Sequence, residues 1–212
     1  MDLLHTLSHK YKIMRLLCFF ALWLTSFSIS AQYLKIDNGI ILSSFSNEDD
    51  LAILDTRVVN YIGSIGLDYL EKEWFSLSSQ IGYVRIGGEQ EVDNVTPEIG
   101  EIIEQKSYIH FNTTFRPRLE MEDVSFFVGI GPTLDILMGS NDAESPFFTG
   151  YRYNNTRIGG KAEIGILHTK NKFRLGVIGG YLRDFSPTTE TEFISLFNHA
   201  FTATITAGYR IK

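Results

Sequence analysis

The last fifteen or so residues alternate almost without a break. Phe197, His199, Phe201, Ala203, Ile205, Ala207, Tyr209 and Ile211 fall on one face, and Asn198, Ala200, Thr202, Thr204, Thr206, Gly208 and Arg210 on the other. A period of two sends successive side chains to opposite sides of a pleated strand. One face suits hydrocarbon; the other is small and polar. The same pattern recurs upstream and predicts strands near 33–45, 58–70, 74–86, 106–119, 124–138, 157–168, 172–184 and 197–211. Three connections are tight: Glu71-Lys72-Glu73, Glu120-Met121-Glu122-Asp123 and Thr169-Lys170-Asn171. The others, 46–57, 87–105, 139–156 and 185–196, are long and polar, and long strictly alternates with short.

That order fits an up-and-down barrel with every short turn at one rim and every long loop at the other, the asymmetry of transmembrane barrels. The expected fold is all-β: an eight-stranded antiparallel up-and-down transmembrane β-barrel. Three features orient its faces. Gly39, Gly66, Gly82, Gly129, Gly131, Gly159, Gly165, Gly176, Gly180 and Gly208 share the polar face, as a narrow, side-chain-filled lumen requires. Aromatics of the apolar face gather near strand ends, as girdles do at membrane–water boundaries. Tyr69, Phe75, Phe115, Phe126, Phe173 and Tyr209 lie toward the short turns, and Tyr61, Tyr83, Phe111, Tyr181 and Phe201 toward the loops. Finally, a soluble lipocalin-like barrel would need the glycine-rich, weakly charged face outside. Pro117 and Pro132 fall inside strands, where a missing donor breaks pairing; Pro132 is expected to mark a bulge or bend.

The chain has 212 residues, and residues 1–31 read as a cleaved signal peptide ahead of a barrel domain, 32–212. Lys10, Lys12 and Arg15 lead an apolar run, Leu16 to Leu24, followed by the small residues Ser28 to Ala31; Met14 is an alternative start. The run is too short to span a bilayer as a helix. Cys18 is the only cysteine and lies within this segment, which excludes disulfides and thiolate chemistry from the exported part. Removing Lys10, Lys12, Arg15 and Asp2 takes 19 Lys+Arg and 25 Asp+Glu to 16 and 24, a net charge of −8. Nucleic acid is an improbable partner for such a surface.

The leader ending Ser30-Ala31-Gln32, the eight strands, Gly129-Ile130-Gly131-Pro132 and the closing Thr206-Ala207-Gly208-Tyr209-Arg210-Ile211 together resemble the porin-like outer-membrane β-barrel domain family. This is the broad OmpX/PorT-like group of Gram-negative envelopes. The resemblance implies outer-membrane residence and insertion by the barrel-assembly machinery. It implies no single activity.

The polar face carries Lys35, Asp37, Asp68, Arg116, Arg118, Lys161, Glu163, Arg174 and Arg210, most of them toward the short-turn rim. Charges in a low-dielectric lumen need partners, so Asp37, Asp68 and Glu163 should pair with the cations. The two readings are an ion path and a salt-bridged plug, and a narrow barrel favours the plug. Loop 46–57 holds Glu48, Asp49, Asp50, Asp55 and Arg57; loop 87–105 holds the acids Glu89, Glu91, Asp93, Glu98, Glu101 and Glu104. Such carboxylates suit divalent ions bridging to anionic headgroups, but EF-hand spacing is absent and a solvated charge run is commoner. Ile99 to Gln105 reads as a strand extension or short helix. Phe147, Phe148, Tyr151 and Tyr153 form either a contact patch or a cover for the barrel mouth.

A lipid-cleaving barrel needs His, Ser and an acid at the outer rim. His168 should face outward by a short turn, and His110 the lumen beside Tyr108 and Asn112. Ser195, His199 and Glu192 are the only trio to consider, and nothing in the sequence fixes their geometry. No metal-ligand cluster, phosphate loop or other cofactor motif is visible. The expected protein is therefore a non-enzymatic outer-membrane barrel with a filled lumen. Its acidic loops would contact lipopolysaccharide, outer-membrane lipid or a surface protein partner. A small lipid-modifying barrel enzyme and a soluble periplasmic lipocalin-like carrier are the alternatives.

Overall fold

The computed structural model describes residues 31–47, 53–90, 102–141, 152–190 and 194–211. Its long strands are β1 (Ala31–Ser46), β2 (Thr56–Tyr69), β3 (Phe75–Gln90), β4 (Ile102–Met121), β5 (Val124–Asn141), β7 (Thr156–Lys170), β8 (Phe173–Asp184) and β10 (Ser195–Arg210). Two short strands, β6 (Arg152–Tyr153) and β9 (Thr189–Glu190), sit among the loops. The eight long strands pair antiparallel with their neighbours, and β1 returns to β10 from Tyr33↔Arg210 to Ser46↔Phe197. The sheet is a closed barrel with no long free edge.

The short hairpins follow the sequence closely. Met121 pairs with Val124 and Lys170 with Phe173, leaving Glu122-Asp123 and Asn171-Lys172 as the turns. Glu122 and Asn171 take positive φ, 53° and 56°, which Asn tolerates far better than Glu.

At the loop rim the strands run further than expected. Gln90 pairs with Ile102, so the loop between β3 and β4 is shorter than 87–105, and Ile102 to Gln105 belong to a strand. Local polarity hid this extension. Inward Val84, Ile86 and Tyr108 are buried here, and their packing carries the ladder past the polar positions.

The expected bulge at Pro132 is absent. Pro132 pairs with Gly160 in unbroken register, and on its other side β4–β5 pairs Asn112↔Thr133, Phe115↔Ile130 and Arg118↔Phe127. Pro132 and Pro117 therefore interrupt rungs of one seam without shifting it, because each proline lacks a donor and nothing else. The shift in this seam lies instead between Ser107 and Tyr108, above both prolines.

The barrel is inverted in polarity. Ile36, Ile40, Ile65, Ile81, Val128, Ile130, Ile164, Val177 and Ile205 project outward and are exposed. Lys35, Asp37, Asp68, Arg116, Arg157 and Glu163 project inward and are buried. Water favours the opposite arrangement, whereas hydrocarbon outside a closed barrel favours this one. An apolar carrier cavity is not what this interior offers.

Four strands carry an aromatic pair eight residues apart on the outer face: Tyr61 and Tyr69, Phe75 and Tyr83, Phe173 and Tyr181, Phe201 and Tyr209. Eight residues span about 26 Å along a strand, or about 20 Å along the barrel axis at a tilt of about 40°. Phe173 packs on Tyr209 at 5.3 Å between ring centroids and Tyr181 on Phe201 at 5.1 Å, each pair directly across the β8–β10 ladder. Trp74 adds to the lower belt, stacking on Phe75 at 4.4 Å.

Candidate functional site

The lumen is filled in layers. Toward the short turns, alternation aims Lys35 and Asp37 of β1, Asp68 of β2, Arg116 and Arg118 of β4, Lys161 and Glu163 of β7 and Arg174 of β8 at one another. Arg116 Nε donates to Glu163 Oε1 at 2.5 Å, and its Nη1 reaches Asp68 Oδ1 at 3.4 Å. Lys161 Nζ lies 2.7 Å from Glu163 Oε2, and Lys35 Nζ lies 3.2 Å from Asp68 Oδ1. Gln80 Nε2 donates to Asp37. Stacking supports the cations: Arg116 Cζ sits 4.6 Å from the Phe127 ring centroid, and Arg174 Cζ 3.7 Å from that of Tyr33.

Glu71, read from sequence as a turn residue alone, is the lower anchor of this layer. Its carboxylate accepts from both Arg118 and Arg174, the second at 2.6 Å. Counting Glu71 and Glu120, the cations Lys35, Arg116, Arg118, Lys161 and Arg174 face Asp37, Asp68, Glu71, Glu120 and Glu163 in balance. Arg210 stands apart. It is exposed at the rim, with Nε donating to the Tyr33 hydroxyl at 2.9 Å, because the last strand residue lies beyond the closed part of the lumen.

A second buried layer lies nearer the loops, and sequence reasoning missed most of it. His110 Nδ1 is 2.6 Å from Asp135 Oδ1, and Arg157 Nη2 is 2.8 Å from Asp135 Oδ2. Arg157 also pairs with Asp184, which accepts from Thr188 Oγ1 at 3.0 Å, and its guanidinium stacks 4.0 Å from the Tyr108 ring centroid. His110 faces the lumen with Tyr108 and Asn112 as expected, and all are buried. Strand parity would have aimed Asp135, Arg157 and Asp184 inward; Arg157 and Asp184 stand at strand ends, and Asp135 shares the face of Gly129 and Gly131.

Between the layers lies a cavity of about 20 Å³, lined by Asp37, Gln80, His110, Asn112, Lys161 and Thr202 among others. That is room for about one water molecule.

The mouth is closed by an apolar layer. Ile41, Phe45, Leu54, Val84, Ile86, Leu182 and Leu196 pack together there. Leu54 turns in from its loop with φ of 52°; its carbonyl accepts from Phe45 N at 3.1 Å, and its N donates to Gln90 Oε1 at 2.8 Å. Gly88 allows this approach, since a Cβ there would lie 2.2 Å from the Leu54 oxygen. Above, β9 pairs with both β10 and β6, and Lys106 Nζ donates to Thr189 Oγ1 at 3.3 Å.

The acidic loop cluster is divided. Glu104 departs from the solvated reading: it turns inward, is buried, and pairs with Lys106 Nζ at 2.8 Å, because strand parity in β4 extends through it. Glu89 is half-buried in β3, opposite Ile103. Glu91, Asp93, Glu98 and Glu101 lie outside the described residues, as do Glu48, Asp49, Asp50, Phe147, Phe148 and Tyr151. The backbone of Tyr153 pairs with Thr189. Among the described residues, no three His, Cys, Asp or Glu side chains converge to hold a metal ion.

The trio built on His199 is not assembled. His199 Nε2 meets Ser44 Oγ at 3.1 Å rather than Ser195, which pairs through its backbone with Glu190; Glu192 is outside the described residues. His168 is exposed beside the β7–β8 turn.

Fold and interior together define a closed eight-stranded antiparallel barrel of the kind found in outer-membrane proteins. The outer-membrane protein OprG of Pseudomonas aeruginosa has this fold, with a TM-score of 0.56 and 8% identity over 85% of this chain and 97% of that one. Neisserial surface protein A reaches a TM-score of 0.49 at 11% identity, covering 84% and 97%, and the outer-membrane protease OmpT of Escherichia coli 0.45 at 11%, covering 87% and 98%. At these identities the likeness is one of fold. No family model matches the chain, and no curated protein does.

Proposed function

We propose that this chain is a non-enzymatic outer-membrane barrel. On this reading it is exported through a cleaved signal peptide, inserted by the barrel-assembly machinery, and held shut by its own side chains. Its acidic loops contact lipopolysaccharide or a surface protein. The observation that carries the reading is the inverted polarity: an exposed apolar wall between two aromatic belts, around a lumen of paired buried charges. Such a wall is stable in a bilayer and aggregates in water. Cell fractionation with selective detergent extraction, and a heat-modifiable gel shift, test it. A chain recovered in the soluble fraction without detergent overturns it.

The closed lumen gives a second measurable consequence. In planar bilayers the purified protein should show no steady conductance, because charge layers and an apolar cap leave about 20 Å³ of free space between them. Stable single-channel steps would make the lumen a path instead of a plug.

The loops are where recognition is expected on a rigid scaffold. Gln90 and Ile102 are paired, so residues 91–101 can be replaced by a two-residue turn that keeps every described rung. The shortened protein should insert and remain heat-modifiable while losing cation-dependent attachment to lipopolysaccharide or a partner surface. Loss of insertion would make this loop part of the folding unit.

The Ser44–His199 contact supports a second reading, a lipid-modifying enzyme. Against it, no carboxylate orients His199 among the described residues, and Ser44 is buried. Turnover of labelled phospholipid that disappears in Ser44→Ala would establish the enzyme.

A further inference from the structure

One row of outward positions crosses three adjacent strands at the loop-side belt, with Arg57 of β2 beside it. His199 of β10 is paired with Arg183 of β8 on one side and with Ser44 of β1 on the other. Leu42 is paired with Val59 and Ser43 with Val58, the last pair of that seam; Arg57 follows directly, at the register shift that β2 makes against β3. Arg57 and Arg183 are exposed, and among the described residues neither has a carboxylate partner. Among the described residues, the lumen arginines Arg116, Arg118, Arg157 and Arg174 are paired with carboxylates, whereas Arg57 and Arg183 are outward arginines without one.

Arg57 leans toward β10, the strand that Arg183 flanks. Arg57 and Arg183 are three strands apart, about 14 Å at the usual strand spacing. Arg57 nevertheless reaches across β1, with Cζ 5.3 Å from the Phe201 ring centroid on β10. His199 stands directly opposite Arg183 in the β8–β10 ladder, and two residues from Phe201, which Arg57 covers. Its Nε2 is held by Ser44, which leaves Nδ1 without a protein partner among the described residues.

The next row toward the membrane centre is Tyr181, Phe201, Leu42 and Val59, with Tyr181 and Phe201 in ring contact. Below that, Ala203 is paired with Gly179, where a Cβ would find no atom nearer than 3.8 Å. The wall therefore presents cations, then aromatics, then a shallow notch of small residues. This is the order of a lipid: headgroup, boundary, acyl chain.

We infer that Arg57, His199 and Arg183 form a seat for the phosphate group of an outer-leaflet lipid whose acyl chain lies over Phe201 and the Ala203–Gly179 notch. Forked guanidinium donors match phosphate oxygens, and two of them approaching from opposite sides clamp one tetrahedral anion. The seat differs from the acidic loops, which would meet lipid only through divalent ions. It rests on the outer-membrane reading, since it needs the bilayer edge at this height.

The test uses the full-length exported protein, folded in vesicles and checked first by heat-modifiability. Binding of phosphorylated lipid A, of the same lipid without its phosphates, and of inorganic phosphate alone is measured in the presence of a chelator. Arg57→Gln/Arg183→Gln should weaken binding of the phosphorylated lipid about tenfold or more, the loss of two charge-assisted contacts. The dephosphorylated lipid should bind wild type and variant alike. Lys170→Gln/Lys172→Gln, an equal charge change at the opposite rim, should bind like wild type. Equal affinity of wild type and the arginine variant, an equal loss in the lysine variant, or inorganic phosphate binding as tightly as the lipid would each overturn the seat. A chain that refuses bilayers altogether overturns the membrane reading, and the seat with it. An inserted chain indifferent to the arginines overturns the seat alone. The single variants Arg57→Gln and Arg183→Gln, each expected to lose part of the affinity, decide the matter if the double variant fails to fold.

Discussion

Replacing Arg116 by Met should destabilise the folded barrel by about 3–5 kcal/mol, the cost of leaving buried charges without their partner. Arg116 is 2% exposed and serves Glu163 and Asp68 at once, while its guanidinium covers Phe127. Removing it leaves two buried carboxylates sharing Lys35, Lys161 and Arg174. Arg116→Met/Glu163→Gln should then cost less than the sum of the single changes, because the second substitution removes a charge that the first stranded. Denaturant titration in vesicles measures both, and conductance recorded on the same samples shows whether a path opens. The expectation is a weaker barrel that still conducts nothing. Additive costs, or open channels at unchanged stability, would mean that the charges gate a path and do little to hold the barrel.

Arginine at Ile205 or Val128 should cost about 2–4 kcal/mol, the penalty for a cation on the lipid face near mid-bilayer. Ile205 is 66% exposed and lies four residues from both Phe201 and Tyr209; Val128 is 56% exposed and lies two residues inward of Phe126. Arginine at Thr204, one residue away, meets a different obstacle. Thr204 faces the lumen and borders the small cavity beside Lys161 and His110, so crowding and an added unpaired charge oppose it. The two classes separate by environment: thinner, shorter-chain bilayers should relieve Ile205→Arg, whose path to the interface shortens, and leave Thr204→Arg unchanged. Equal folded yields for all three arginine variants would show that the faces are wrongly assigned.

Much of this protein is local and therefore legible in its sequence. A period of two fixes which residues share a face, whatever the rest of the fold does, so Lys35, Asp37, Asp68, Arg116, Glu163 and Arg174 could be set on one face from alternation alone. The tight turns were equally plain, since Glu122-Asp123 and Asn171-Lys172 leave no slack between paired strands. The long-and-short order of connections then allows few topologies besides an up-and-down barrel.

What alternation cannot fix is which strand residues stand at the same height, because register is a property of two strands and closure a property of all of them. Only the closed barrel brings Arg157 of β7 against Asp135 and Asp184, and Glu71 from a turn beneath Arg118 and Arg174. The same closure sets Arg57 of β2 over Phe201 of β10, one strand from Arg183. Pro132 shows the limit from the other side. Its missing donor was readable, but whether a lost rung bends a strand depends on its neighbours, and here β7 holds the register on the far side. Leu54 and Glu104 are decided in the same way, drawn inward from polar segments by an apolar cap that exists only once the barrel has closed.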